Sequence, residues 1–508
     1  MPILVRHLVA LSVVTMLGVG EPHQFVVTAS AQDTVTVSLP ELVDAALEHA
    51  LTLRGGRLNV TVAEAGVLSA RSTFDPLLQA NADLDRSGVS GSSPGPFEFT
   101  SRGRKLTTGV AGTLPISTQY SVSLNSTFRS PQTDATGNPL GEYDNTLSVA
   151  LTQPLLRGFG SAGGAAQLAA AGRSLQAAEA RLTRLVEETI ATVEIRYWTL
   201  AQTEEAEAVA AQSLERAQIL LQRNEELRRL DKINEVALIT SQVGVATRRN
   251  SLLQATQRRQ DALDDLVFFV YGAGAAARLR ALGVFIQTDR APVQIPRLPA
   301  LDGAIATALV ERNDLVAARQ DAEAIHISAR VSGNALLPTL NLTAAYTATV
   351  NNADAIRFSA GAIGTQSTGW SVGASALFPL FNSQARATHR ELNSLADQQD
   401  FAVLSVENVV RNDVRQTMRG IEIGTQSLAV ADSALRLALR QYDMERQRLE
   451  LGLSESFRLL QFEDQVANSE TAEIAARYAL AIAVTRYQLA AGSALLMKYG
   501  LAAEGRSR

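Results

Sequence analysis

Residues 119–128 read Gln-Tyr-Ser-Val-Ser-Leu-Asn-Ser-Thr-Phe, and apolar and polar side chains alternate along them. Two further segments, 339–350 and 370–378, alternate in the same way. A period of two predicts a strand with one apolar face and one polar face. The polar positions carry uncharged Ser, Thr and Asn, and aromatic residues lie near the strand ends. This pattern favours a barrel with lipid outside and water inside over a half-buried soluble sheet.

The strand segments belong to an internal repeat that fills most of the chain. A shift of 262 residues places Pro76 on Pro338, and the alignment upstream of them has no gap. Further along, a shift of 225 residues places Pro154 on Pro379. The difference between these shifts, 262 minus 225, predicts an insertion of 37 residues in the first copy.

The insertion contains another alternating pair, at about 106–114 and 119–128, on either side of Pro115. This extra hairpin, at about 100–130, is expected either to bring the strands of one protomer from four to six or to project as an extracellular hairpin. Because so few strands cannot close a barrel and an open sheet edge is not tolerated in hydrocarbon, the chain must oligomerise.

Very long helical sequence follows the strands of each copy. Residues 165–266 and 384–489 contain no proline, are rich in Ala, Leu, Glu, Gln and Arg, and carry apolar residues at helical spacing. A single helix over either span would be about 150 Å long at ~1.5 Å per residue. We therefore expect each span to form two long antiparallel helices joined by a short turn.

The N-terminus has the features of a secretory signal. Arg6 and His7 precede the apolar run 8–19, and Ala29-Ser30-Ala31 forms a small-x-small cleavage site. The run is shorter than the roughly 20 residues that span a bilayer, so a signal is favoured over an anchor.

The chain is thus predicted to be mostly helical, with long antiparallel coiled-coil helices and strands that contribute to a membrane β-barrel. The predicted divisions are a signal peptide (1–31), a first copy (32–273), a linker (274–300), a second copy (301–492) and a C-terminal tail (493–508).

Composition excludes several classes of function. The net charge is −5, and the 46 basic residues are spread along the chain, so no footprint for nucleic acid is present. Cysteine is absent, which excludes disulfides and thiolate sites. The five histidines are far apart in sequence, and none pairs with a carboxylate at metal-ligand spacing. We assign no metal site, no cofactor and no catalytic residue.

Two glycine motifs imitate enzyme signatures. Residues 158–163 fit the dinucleotide-binding pattern, but that site needs a second parallel strand after a helix of ordinary length. Gly158 and Gly160 are better explained as a bend between barrel and helix. Residues 91–95 have the spacing of a hydrolase elbow, but they lie in a polar loop without the flanking strand and helix.

The doubled order of motifs resembles the outer-membrane efflux repeat of the TolC family. Each copy has a similar N-terminal helix pattern, at 45–51 and at 308–315, a proline at the first strand and a Pro-Leu at the strand exit. The prolines are Pro76, Pro154, Pro338 and Pro379. The resemblance covers nearly all of the mature chain.

This resemblance implies a homotrimer in the outer membrane, in contact with lipid, whose strands form one barrel and whose helices continue as a periplasmic tunnel. Such channels receive substrate from an inner-membrane transporter of the RND, ABC or MFS type through a periplasmic adaptor. The implied function is the exit duct of an efflux pump or type I secretion system, and not an enzyme.

The resemblance also implies three groups of site residues. The adaptor-contacting turns are Lys232, Ile233 and Asn234 in the first copy and Gly452, Leu453 and Ser454 in the second. The periplasmic entrance comprises Glu455, Arg458, Gln461, Glu463 and Asp464. The junction of barrel and helices comprises Pro76, Pro154, Gly158, Gly160, Pro338 and Pro379. The chain departs from the family at its first turn, which lacks Gly-Leu-Ser, and at Arg458 and Gln461, where the family's best-known members have an acidic ring.

Two other classes of protein explain less of the sequence than a channel does. A soluble periplasmic coiled-coil scaffold explains the helices but leaves the lipid-type strands unexplained. An enzyme of unknown chemistry lacks a convergent site.

Overall fold

The computed structural model describes residues 34–36, 38–91, 97–133, 139–160, 163–272, 285–288, 297–352, 367–451, 453–492 and 494–501. The predicted signal peptide, most of the linker and Gly452 lie outside the described residues.

Helices make up most of the described chain. They are α1 (Leu39–His49), α2 (Leu51–Arg71), α3 (Gly164–Arg229), α4 (Glu235–Tyr271), α5 (Leu301–Glu311), α6 (Asn313–Asn334), α7 (Ser383–Glu450), α8 (Ser456–Ala491) and α9 (Ala494–Lys498), with a 3₁₀ turn at Ser72–Phe74. The two predicted pairs of long helices are α3 with α4 and α7 with α8, and this prediction is confirmed. Among the described helices, none combines the length and the apolar character needed to cross a membrane.

Six strands form one antiparallel sheet in the order β2-β3-β4-β5-β7-β8. They are β2 (Leu77–Gly91), β3 (Phe97–Thr113), β4 (Gln119–Thr133), β5 (Pro139–Pro154), β7 (Thr339–Asn352) and β8 (Ser367–Leu377). A separate parallel pair joins β1 (Thr34–Thr36) to β6 (Phe285–Gln287). The predicted extra pair is β3 and β4, and it lies inside the sheet, as the six-strand alternative expects.

The two faces of the sheet differ across all six strands. Residues paired directly across the sheet share a face. One such row is wholly apolar and comprises Leu78, Val110, Val122, Val149, Tyr346 and Trp370. A row on the opposite face is wholly polar and uncharged and comprises Asn81, Thr107, Asn125, Thr146, Thr349 and Ser367. The alternation seen in single strands thus continues in register over the whole sheet.

The repeat is visible in the helices that precede the strands. In the first copy α1 and α2 are separated only by Ala50, whose ψ of 123° breaks the helix. In the second copy α5 and α6 are separated by Arg312, with ψ of 120°. Arg312 is buried, and its guanidinium pairs with Asp314 at 2.5 Å and with Asp413 at 2.8 Å.

The cores lie where the short helices pack on the long ones. In the first copy, the fully buried side chains include Leu42 of α1, Ile190 and Tyr197 of α3 and Leu266 of α4. Leu495 of α9 joins this core, so part of the segment predicted as a tail is packed structure. The second core is built in the same way from α5, α7 and α8. Burying one such aliphatic side chain contributes about 1.5–3 kcal/mol.

The helices form a wall with two open sides. In the half near the sheet, α3 packs against α2 and α6, and α6 packs against α7. In the half near the turns, α3 packs against α4 and α8, and α8 packs against α7. Therefore α7 borders one side of the wall along its length, while α2 and then α4 border the other.

Candidate functional site: the helix turns and the entrance

A buried polar cluster brings the two helix turns together at one end of the wall. The Asn224 amide of α3 donates to Ser241 Oγ of α4 at 2.6 Å and to Ser456 Oγ of α8 at 3.0 Å. All three residues are buried. Because Ser456 directly follows the second turn and Ser241 lies two helical turns after the first, both loops lie at the same tip.

The first turn reverses the chain between α3 and α4. Asp231 has a positive φ of 53°, and the amide of Lys232 donates to Leu227 O at 2.9 Å. The side chain of Asn234 caps α4, because its Oδ1 accepts from the Ala237 amide at 2.9 Å. Lys232 and Asn234 are exposed, while Ile233 is half-buried. The predicted turn residues thus lie in the turn.

We expect replacement of Asn234 by alanine to remove this cap. An N-cap amide or hydroxyl stabilises its helix by roughly 1 kcal/mol, and aspartate caps as well as asparagine does. Amide hydrogen exchange in the first turn of α4 should become about fivefold faster in Asn234→Ala and stay near the wild-type rate in Asn234→Asp. Equal exchange in all three proteins would contradict the capping role.

The second turn is held by the end of α7. The amide of Leu453 donates to Arg448 O at 2.8 Å, and the hydroxyl of Ser454 donates to the buried carboxylate of Glu445. Leu453 itself is two-thirds exposed. The contacts with α7 therefore hold Leu453 and Ser454 in place, and Leu453 presents an apolar side chain to solvent.

Four of the five entrance candidates lie on an exposed stripe that starts at the second turn and winds about halfway around α8, because a step of three residues falls about 60° short of a full helical turn. Glu455, Arg458, Gln461 and Asp464 recur every three residues and are exposed. Gln461 and Asp464 also line an open cavity of about 350 Å³ between α7 and α8. The stripe mixes charges of both signs, so it does not form an acidic ring.

Glu463, the fifth candidate, lies inside the wall. Its carboxylate is 3.3 Å from Arg216 of α3 and 3.6 Å from Arg248 of α4, and it is only 3% exposed. Arg248 is also buried and reaches Asp464 at 2.8 Å and Leu460 O at 3.1 Å. Burial raises the pKa of Glu463, while the two guanidinium groups lower it.

Sequence patterns alone do not predict this ionic cluster. Arg216 and Arg248 are two of many arginines on long charged helices, where the ordinary expectation is a solvated face. The only available signal is the small Gly244, one helical turn before Arg248, whose carbonyl accepts from the guanidinium at 3.2 Å. The cluster joins the two copies of the repeat close to the tip.

The predicted junction residues lie where strands meet helices. Pro76 and Pro338 directly precede β2 and β7, Pro154 ends β5, and Pro379 follows β8 by two positions. Gly158 and Gly160 have φ of 81° and 65°, which only glycine adopts readily. The Gly158 amide donates to Asn334 Oδ1 at 2.6 Å, which ties the exit of the first copy's sheet strands to α6.

Histidine and carboxylate groups show no metal-binding arrangement in the described part of the chain, where no set of three or more lies close enough. One histidine does meet a carboxylate, since His326 Nε2 lies 2.9 Å from Asp400 Oδ1. Both side chains are partly exposed, and no third ligand-type residue accompanies them.

Solved outer-membrane channels have the same fold. The Campylobacter jejuni CmeC outer membrane channel is 14% identical, with a TM-score of 0.64 over 94% of both chains. The open-state Neisseria gonorrhoeae MtrE outer membrane channel is 17% identical, with a TM-score of 0.62 over 94% of this chain and 98% of that one. The Vibrio cholerae outer membrane protein VceC is 15% identical, with a TM-score of 0.64 over 89% and 96%. The predicted fold class is confirmed.

One family model matches the second copy of the repeat. Residues 304–493 match the family model described as outer membrane efflux protein. This match confirms the family resemblance inferred from the repeated motifs. No curated protein matches the chain at a significant level.

Proposed function

We propose that this chain is the outer-membrane exit duct of a tripartite efflux pump or type I secretion system, and that it conducts substrates passively across the periplasm and outer membrane. The observation that carries the proposal is the six-stranded sheet with one apolar and one polar face, joined end to end with a wall of helices about 100 Å long at ~1.5 Å per residue. A soluble scaffold would not explain an exposed apolar sheet face.

The open sides of the wall support a homotrimer. Strand β8 is exposed along its whole length, and Trp370 on it is 80% exposed. Six of the exposed apolar residues on α7 and at its C-cap are separated by multiples of seven: Val409, Ile423, Val430, Leu437, Met444 and Leu451. On the opposite side α4 exposes Val236, Ile239, Val243 and Leu253 at coiled-coil spacing. Each open side of the wall thus exposes an apolar surface that a neighbouring copy can cover. Channels of the outer membrane efflux protein family are trimers.

The partners proposed are a periplasmic adaptor and, beyond it, an inner-membrane transporter. The adaptor would contact the tip through the first turn and through the exposed Leu453 of the second. The fixed backbone of both turns, capped by Asn234 and held by Ser454, suits a docking surface. The proposed divisions of the chain remain a signal peptide, two copies and a linker between them.

The proposal is tested by cell fractionation and particle mass. The protein should co-fractionate with outer membrane, require detergent for extraction, and have three times the mass of the mature chain by light scattering. A monomer released without detergent would overturn the proposal and favour the scaffold.

Charge reversal at Arg458 should change the ion selectivity of the channel. Arg458 is exposed on the stripe that starts at the second turn, so Arg458→Glu replaces a positive by a negative charge in each copy at the proposed entrance. The field of such a ring attracts cations. We expect the reversal potential in a KCl gradient to shift towards cation selectivity, while Arg458→Lys leaves it unchanged. The same potential in all three proteins would place Arg458 outside the conduction path.

A further inference from the structure

We infer that the assembled barrel contains eighteen strands, so that its pore is wide enough for bulky hydrophilic solutes. The inference rests on the proposed trimer, because three copies of the six-stranded sheet supply the eighteen strands. A chain built from two equal copies of the repeat would supply four strands, and its trimer twelve.

The additional strands are one discrete hairpin. From Phe97, where β3 begins, to Thr133, where β4 ends, there are 37 residues, which equals the difference between the two repeat shifts. Strands β2 and β7 begin 262 residues apart, at Leu77 and Thr339. The first copy is therefore the second copy with one hairpin added.

The hairpin is paired on both of its sides. Strand β3 pairs with β2 from Leu77↔Ala111 to Gly91↔Phe97 without a break. Strand β4 pairs with β5 from Gln119↔Thr152, with one irregularity between Arg129 and Gln132. A projecting hairpin or a plug would leave β2 and β5 paired with each other, which is not the observed order.

The hairpin also has the same apolar face and polar face as the rest of the sheet. Val110 and Val122 continue the apolar row, and Thr107 and Asn125 continue the polar row. Thr107 Oγ1 donates to Asn125 Oδ1 at 2.7 Å on that polar face. The added strands are therefore suited to lipid on one side and water on the other, like the strands beside them.

The turn of the hairpin reaches the junction with the helices. Ser117, with a φ of 68°, donates through Oγ to Gly160 O at 3.0 Å. Gln153 at the end of β5 donates to Ile116 O at 3.4 Å. The hairpin thus spans the full height of the sheet down to the start of α3, so it widens the pore along its whole length.

An even number of strands lets identical copies close the ring. Neighbouring strands are antiparallel throughout, so the two edge strands, β2 and β8, run in opposite directions. When β8 of one copy meets β2 of the next, the seam is antiparallel like every other pair. With strands ~4.8 Å apart and tilted by about 40°, eighteen strands give a backbone diameter of roughly 36 Å, and twelve give roughly 24 Å.

The substrate class follows from the width and the lining. Uncharged hydroxyl and amide groups line the polar row, and charges on the same face nearer the outer end have both signs, as with Asp83 and Lys105. Such a lining does not select strongly for ion charge. The wide exit should therefore pass bulky hydrophilic solutes with weak charge discrimination.

The decisive experiment counts strands in the wild-type trimer by electron cryo-microscopy. Eighteen strands are expected. The matched variant lacks residues 97–133, which joins Pro96 to Asp134 and brings β2 beside β5, with Leu77 expected opposite Thr152, as Thr339 lies opposite Leu377 in the second copy. We expect twelve strands in that variant. In bilayers, polyethylene glycols added from the extracellular side should enter the wild-type barrel at more than about 1.5 times the hydrodynamic diameter that the variant admits, because the lining side chains narrow both pores by a similar amount.

A wild-type trimer whose barrel has twelve strands, with the hairpin outside the barrel, would overturn the inference. The exit-duct proposal would still stand. Equal polymer cut-offs for the two proteins would also overturn it. If the variant does not assemble, the wild-type strand count alone decides. A protein that forms no membrane trimer would overturn the proposed function itself, so the two failures are distinguishable.

Discussion

Replacement of Val430 by glutamate is expected to abolish the trimer while leaving the protomer folded. Val430 is 69% exposed on the apolar stripe of α7, so within one protomer a glutamate there meets water and costs little. In the trimer the same carboxylate would be buried in each of the three seams. Burying an unpaired charge costs several kcal/mol. This cost exceeds the free energy by which one coiled-coil layer stabilises the contact.

The control for this variant is Ala429→Glu, which adds the same charge one position away. Ala429 lies on the neighbouring stripe of α7, which already carries the exposed Glu422 and Arg436. Light scattering in detergent at micromolar concentration should give the mass of a monomer for Val430→Glu and of a trimer for Ala429→Glu, with equal helix content by circular dichroism. Two intact trimers would show that the α7 stripe is not the contact between copies.

Replacement of Arg248 by alanine is expected to loosen the end of the wall that carries the turns. Arg248 is buried between α4 and α8, and its loss would leave the Glu463 carboxylate with one ion pair, to Arg216. Removing one partner of a buried ion pair costs about 3–5 kcal/mol. We expect faster proteolysis and faster hydrogen exchange around both turns, with little change near the sheet.

Two further variants separate this ionic effect from a general loss of packing. Arg249→Ala alters the exposed neighbour on the same helix and should change stability by less than about 0.5 kcal/mol. In Arg248→Ala with Glu463→Gln, the buried charge is absent, so part of the lost protection should return. If the double variant exchanges as fast as Arg248→Ala alone, the charge that Glu463 keeps after the loss of Arg248 is not the cause.

The features that repeat over many residues could be predicted from the sequence. The long helices, their turns at Lys232–Asn234 and near Leu453, and the doubled order of strands follow from periodicity and from the offsets between the copies. The extra hairpin followed from the same offsets. Its place in the sheet could not be predicted, because the alternation within one strand does not indicate which strands lie beside it.

The features that depend on one residue or on distant partners could not be predicted. Ala50 and Arg312 break helices without proline or glycine, because the break is fixed by packing and, at Arg312, by ion pairs with Asp314 and Asp413. The β1–β6 pair has three residues in each strand, too few to show a period.

The sequence predicts a tail at the end of the chain, and the structure packs part of this segment against α3. Glu194 is fully buried and accepts from Thr485 Oγ1, Lys498 Nζ and Tyr499 OH, each at 2.6 Å. Burial and the nearby Glu194 raise the pKa of Tyr499 above its ordinary value, so its hydroxyl stays protonated and able to donate. These contacts join residues about 300 positions apart, which no local pattern reveals.

The most direct test of the exit duct is single-channel recording from the purified wild-type protein in a planar lipid bilayer. Trimers that enclose one continuous conduit should insert and give discrete, stepwise ion currents, and the Val430→Glu protein at the same concentration should give none. A wild-type protein that inserts no conducting unit, or one that conducts equally well as a monomer, would contradict the account.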